Sequence, residues 1–210
     1  MKRLISTLGL AAAALLPLAP ANAAMLYLVP AVQDAASGSS ITFDVMLNRT
    51  GLVGQIASAY DIDVLFDSAA LGGASSGAIN TAILGASPTD YFAGFTMTAG
   101  DAAGQASSFL PDLSVLALQP GDPLRLFSFS VTALMDGVTH LDFGPDADFQ
   151  RNVVGLNGQT LSLTYQGACV AVGANFAGGC NTSSVTEPGT LGLLGLGLLG
   201  IAGLRRRMAA

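Results

Sequence analysis

Few residues in this chain have chemical reach, and their spacing decides what each could do. Cys169 and Cys180 are its only cysteines, with a Gly- and Ala-rich stretch, Val170 to Gly179, between them. In an exported body such a pair is expected as a disulfide, worth about 2 to 3 kcal/mol for a loop this short by the chain-entropy argument. A metal pair is the alternative, but the chain has one histidine, His140, and no acidic residue close to either cysteine. Asp142, Asp146 and Asp148 cluster in LDFGPDADF, where closely spaced carboxylates can wrap a Ca²⁺ ion. They lack the glycine and distal glutamate of an EF-hand loop, so the readings are weak Ca²⁺ binding or turn formers that carry solubilising charge. No other cofactor is expected. Gly73-Ala74-Ser75-Ser76-Gly77 matches the G-x-S-x-G nucleophile elbow in form. That elbow needs a strand before it, a helix after it and alternating β/α units to bring up acid and base. His140 falls in an apparent strand instead, where a solvent-facing role is expected, and a Gly/Ser loop is the better reading of Ser75. No catalytic residue is assigned.

Charge narrows the partners. The segment from residue 24 to 185 carries three arginines, Arg49, Arg125 and Arg151, against thirteen aspartates and no lysine, a net of −10. Phosphate binding needs clustered Lys and Arg, so nucleic acid is excluded and anionic lipid repelled. Tryptophan is absent, which leaves Tyr27, Tyr60, Tyr91 and Tyr165 as candidate sugar platforms. Strand alternation turns Tyr60 and Tyr165 inward, so a planar aromatic strip is not supported, although a polar groove stays open as a sugar site.

The elements that must position these residues are strands. Period-two alternation runs through Ile41 to Leu47, Ile56 to Phe66, Phe127 to Thr132 and Leu161 to Gln166. In the second of these, Tyr60, Ile62, Val64 and Phe66 share one face, with Asp61 and Asp63 on the other, where they can simply be solvated. Met25 to Val29, Phe92 to Thr98, Ser114 to Leu118 and Val138 to Phe143 are further short strands. Ser75 to Leu84 holds a short helix or a crossing loop, and Ala99 to Ser108 (AGDAAGQASS) reads as a flexible turn region. Half-buried strands divided by Gly, Pro and Asp turns predict one all-β domain over residues 24–181, an antiparallel jelly-roll-like sandwich. Thr182 to Val185 is a short linker.

Both ends are processing segments. Met1 to Ala23 has a basic start (Lys2, Arg3), an apolar stretch from Leu4 to Leu16, and Ala21-Asn22-Ala23 before the expected cut between Ala23 and Ala24. It reads as a signal peptide handed to the secretion translocon and signal peptidase; a retained helix would need a longer apolar run. At the other end Thr186-Glu187-Pro188 precedes an apolar run from Gly189 to Leu204, which Arg205, Arg206 and Arg207 close. As a transmembrane helix that run rises about 24 Å, short of the ~30 Å hydrocarbon core, and arginine stems make up part of the difference. The arginines stay cytoplasmic and the body lies across the inner membrane. Five glycines between Gly192 and Gly203 weaken the helix, which suits a transient anchor better than a permanent one.

This order over residues 186–207 resembles the PEP-CTERM sorting signal of Gram-negative bacteria, in which a Pro-Glu-Pro motif, a short apolar helix and an Arg cluster end the protein. Thr186 stands where that motif has its first proline. The resemblance implies an exosortase-type processing enzyme that cuts near the motif; an unprocessed anchor is the alternative. The body has a second resemblance. SGSSITFDVMLNRTG, QIASAYDIDVLFDSAAL and PGDPLRLFSFSVTAL, with a last strand region from Gly158 to Val172, are similar to a cohesin-like domain. That family has a jelly-roll sandwich related to carbohydrate-binding modules. Together these readings predict an exported, non-enzymatic protein of the cell surface or extracellular matrix. The alternatives are an exopolysaccharide-binding module of the same fold and, more remotely, a serine hydrolase built on Ser75.

Overall fold

The computed structural model describes residues 23–52, 54–72, 76–145 and 151–181. Among these residues the fold has thirteen strands and one short α-helix: β1 (Ala24–Val29), β2 (Val32–Ala35), β3 (Ser40–Asn48), β4 (Ala59–Phe66), β5 (Leu71–Gly72), β6 (Gly77–Ile79), β7 (Tyr91–Thr98), β8 (Asp101–Ser108), α1 (Asp112–Leu118), β9 (Leu124–Ala133), β10 (Gly137–Phe143), β11 (Arg151–Val154), β12 (Leu163–Gln166) and β13 (Ala168–Val172). They form two sheets. Sheet A runs β12-β1-β3-β9-β5, with β6 also on β9; sheet B runs β2-β13-β10-β4-β8-β7, with β11 also on β4. The pairing is mixed where wholly antiparallel strands were expected, because β12 lies parallel to β1 and β2 parallel to β13.

The core between the sheets is aromatic at its centre. Phe43 stacks on Phe129 at 5.7 Å between centroids, and Phe127 meets Phe129, Tyr60 and Phe95 at 6.0 to 6.3 Å. The register of β3 on β9 shifts at Val45/Met46, leaving Leu126 as an extra residue on β9, so that Leu126 and Phe127 are both fully buried. The displaced Leu126 carbonyl accepts the Tyr60 hydroxyl at 2.9 Å and the Asn80 N–H at 2.9 Å. Tyr60 thus keeps a partner in the core, and burial raises its phenol pKa.

Two expected elements are different. Ala99 to Ser108, read as a turn region, is mostly β8, a strand inside sheet B. Its inward residues Ala102, Gly104 and Ala106 are small, and at Gly104 Phe127 leaves no room for a side chain: a Cβ there would come within 2.6 Å of that ring. Ser114 to Leu118, read as a strand, belongs to helix α1, which begins after Pro111 with Asp112 in its first turn. Only Val115 of α1 is buried, while Leu113 is 79% exposed. The stretch from Ser75 to Leu84 resolves into β6 and a 3-10 turn over Thr81–Ile83. Among the described residues no helix is long and apolar enough to cross a membrane; the expected spanning run Gly189 to Leu204 lies outside them.

Candidate functional site

Two features stand out on the outer face of sheet B. The first is a covalent staple. Cys169, near the start of β13, is joined to Cys180 eleven positions later. After Val172 the chain turns at Gly173, in a positive-φ conformation, and folds back over the sheet. Gly178 N–H donates to Asp34 Oδ1 at 3.1 Å. Gly179 lies against Val138 so closely that a Cβ there would sit 2.7 Å from the valine Cγ2. The register places Val32, Cys169 and His140 in one cross-strand row and Asp34, Ala171 and Val138 in the next, so the returning segment covers the β2–β13–β10 side of this face.

The second is a groove of about 420 Å³ across β11, β4, β8 and β7. Register builds it from two rows, Val154–Ala59–Ser107–Phe92 and Asn152–Asp61–Gln105–Gly94. Phe92 is 49% exposed, and its ring reaches along the strand to Gly94, where a Cβ would lie 3.5 Å from the ring. The polar side holds Asp61, which accepts from Gln105 Nε2 at 3.0 Å, and Asn152, whose buried Nδ2 has no hydrogen-bond partner among the described residues. Such a groove offers one apolar ring face opposite amide and carboxylate groups.

Asp63 departs from the solvated role expected for it. It is only 8% exposed, opposite the break between β10 and β11 on β4, where Gly144 N–H bonds its carbonyl. Desolvation first, then the neighbouring charges of Asp101 and Asp61, push its carboxyl up to about 6. Burial raises Asp101 as well.

The remaining candidates divide between the described residues and those outside them. His140 is exposed on β10, as expected, and Asp142 is exposed two residues on. Asp146 and Asp148 lie outside the described residues, and within these no three His, Cys, Asp or Glu side chains converge as a metal cage. Ser75 also lies outside, but the chain after it enters β6, a strand of sheet A paired with β9, where the elbow requires a helix. Tyr165 does face sheet B, its ring beside Phe143 with the Arg151 guanidinium 4.4 Å above it, but β12 is an edge strand and the residue stays 38% exposed. Ala24, the first residue after the expected cut, is fully buried and donates its N–H to the Ser162 carbonyl at 2.9 Å. Thr186, Glu187, Pro188 and Arg205 to Arg207 lie outside the described residues, as does nearly all of the expected signal peptide.

Sequence reasoning missed a buried polar lock at the opposite end of the sandwich from the β9–β10 turn. Arg49 donates to the carbonyls of Gln55, Gln119 and Gly121 and pairs with Asp122 at 3.3 Å. Gln119, 2% exposed, bridges both backbone groups of Ala57 and the Ile83 carbonyl. Nothing local in the sequence marks Gln119, Gly121 and Asp122 as partners of Arg49, about 70 positions away.

Residues 184–207 match the PEP-CTERM protein-sorting motif. The described body matches solved cohesins. A type II cohesin domain from the cellulosome of Acetivibrio cellulolyticus aligns at TM-score 0.56 and 12% identity, covering 70% of this chain and 95% of that one. The sixth cohesin of scaffoldin B from the same organism, solved with a Cel5 dockerin, aligns at 0.53 and 13%, covering 72% and 99%. The cohesin CaCohA2 of Clostridium acetobutylicum aligns at 0.51 and 12%, covering 72% and 91%. No curated protein sequence matches the chain. The chain is a cohesin-like β-sandwich with a PEP-CTERM sorting motif at its C terminus. That motif implies an exported, surface-sorted protein processed by an exosortase. At these identities the likeness to cohesins shows the fold alone.

Proposed function

We propose that this protein is a non-enzymatic module of the cell surface or extracellular matrix. Its body crosses the inner membrane behind a signal peptide, is cut between Ala23 and Ala24, and is held by Gly189 to Leu204 with Arg205, Arg206 and Arg207 inside. An exosortase-type enzyme then reads Thr186-Glu187-Pro188 and frees the sandwich. The observation that carries this reading is the sorting motif at residues 184–207, joined to a sandwich whose last described residue, Asn181, falls just before it. The cut falls immediately before β1, whose first residue is Ala24. The test is fractionation of cells carrying Glu187→Ala. Because Glu187 lies outside the apolar run, insertion should persist and processing should stop, leaving a larger form in the membrane fraction. A variant that matures and leaves the membrane as the parent does would overturn the sorting role of the motif.

The groove favours a second reading, binding of exopolysaccharide. The exposed Phe92 ring suits the apolar face of a pyranose, and Asp61, Gln105 and Asn152 suit its hydroxyls. Retention on isolated exopolysaccharide should fall at least tenfold in Phe92→Ala. Equal retention of parent and variant would remove the groove from the account.

A further inference from the structure

The staple fixes where the membrane tether leaves the body. Cys180 is bonded to Cys169 on β13, and Gly178 and Gly179 press on Asp34 and Val138 of the flanking strands. Asn181, next to the bridged Cys180, is the last described residue, and Glu187 follows six positions later. Fully extended, that stretch spans about 20 Å. Without the bridge, the returning segment keeps the Gly178–Asp34 hydrogen bond and the packing of Gly179 on Val138 but loses its covalent hold on β13. The first firm attachment then moves back to Gly173, whose N–H bonds the Ala35 carbonyl at 2.8 Å. The reach to Glu187 rises to about 50 Å.

We infer that the Cys169–Cys180 bridge sets the length and origin of the membrane tether, so that the membrane-held form keeps the β2–β13 side of sheet B toward the bilayer. This rests on the sorting reading above. The physical reason is a comparison of lengths. Packed sheets stand ~10 Å apart, and side chains thicken both outer faces. To lay sheet A on the membrane, a tether that starts on the outer face of sheet B must first round the edge of the sandwich, which consumes the reach it has. The same tether reaches the bilayer directly when sheet B faces it. The membrane-proximal surface is then the row that includes Val32 and His140, both exposed beside the staple. With a net of −10 the body is repelled by anionic lipid, so the neighbour this surface fits is a membrane protein beside the anchor rather than the lipid itself.

Photo-crosslinking of the full chain tests this, in a Glu187→Ala background so that the membrane-held form accumulates. A photoreactive phenylalanine analogue is placed at Val32 or, on the outer face of sheet A, at Thr42. Crosslinks to membrane components should form at least five times more often from Val32. Inserting ten Gly/Ser residues after Thr182 leaves the bridge intact and adds about 35 Å of reach. That insertion, and separately Cys169→Ser with Cys180→Ser, should bring the ratio close to one. Equal yields from the two positions in the uninserted chain, or a ratio the insertion does not change, would overturn the inference while leaving the sorting reading intact. Absence of any membrane-held form would overturn the sorting reading, and this inference with it.

Discussion

Arg49→Met should cost about 3 to 5 kcal/mol of stability, the range for breaking a buried charged pair from one side. Methionine keeps most of the apolar stem, so the change isolates the guanidinium. Arg49 is only 7% exposed, and its loss leaves the carbonyls of Gln55, Gln119 and Gly121 without the donors that now reach them. Asp122 would keep only the Arg49 backbone N–H, at 2.8 and 3.0 Å, and the Thr50 hydroxyl. Gln119 would lose its Arg49 bond and keep those to Ala57 and Ile83, so the damage should stay at this end of the sandwich. The assay is equilibrium urea unfolding of residues 24–184 followed by far-ultraviolet circular dichroism. With a slope of about 2 kcal/mol/M for a domain of this size, the midpoint should fall by roughly 1.5 to 2.5 M. Arg125→Ala is the control: its pair with Asp44 is 3.8 Å long and exposed, so its midpoint should move by under about 0.3 M. A drop of less than about 0.5 M for Arg49→Met, or equal drops for both variants, would refute the claim that this lock carries the opposite end of the fold.

Asp63 gives a pH dependence of unusual sign. Its folded pKa of about 6 lies above the unfolded value of 3.8, so the fold holds the proton more tightly. Its stabilising contribution is full below about 4, falls as pH rises from about 4 to 6, and stays lost above, at up to about 3 kcal/mol. Asp63→Asn should therefore raise the urea midpoint at pH 7.5 and leave it nearly unchanged at pH 4; a gain of equal size at both would refute this. Reducing Cys169–Cys180 should lower the melting temperature of the body by roughly 4 to 12 °C without abolishing folding, which calorimetry with and without reductant would show. Gly104→Ala should cost about 1 to 3 kcal/mol by driving a methyl into Phe127, and a neutral result would show that β8 can shift beneath that ring. Replacing Arg205, Arg206 and Arg207 with glutamate should deplete the membrane-held form seen on fractionation, because the charge asymmetry that stops transfer is gone.

The C-terminal motif was legible because it is read in one dimension. Thr186-Glu187-Pro188 before an apolar run and three arginines act through order and spacing alone, and the sorting motif at residues 184–207 is matched on that order. The long strands β3, β4, β9 and β10 were legible for a related reason: one face meets the core and the other meets water, so burial writes period two into the sequence. The cysteine pairing followed from there being only two. What the sequence alone left open were properties of a neighbour rather than of the residue itself. The small residues of β8 look like a turn until Phe127 is seen to occupy the space above Gly104. Asp63 looks solvated until the folded sheet is seen to leave it only 8% exposed, and Tyr165 looks fully internal until β12 takes the edge of its sheet. Arg49 finds Gln119, Gly121 and Asp122 about 70 positions away, and Phe92 becomes part of a groove only when register aligns it with Ser107, Ala59 and Val154. Periodicity records which side of a strand is buried; what lies against that side is decided only when distant segments pack.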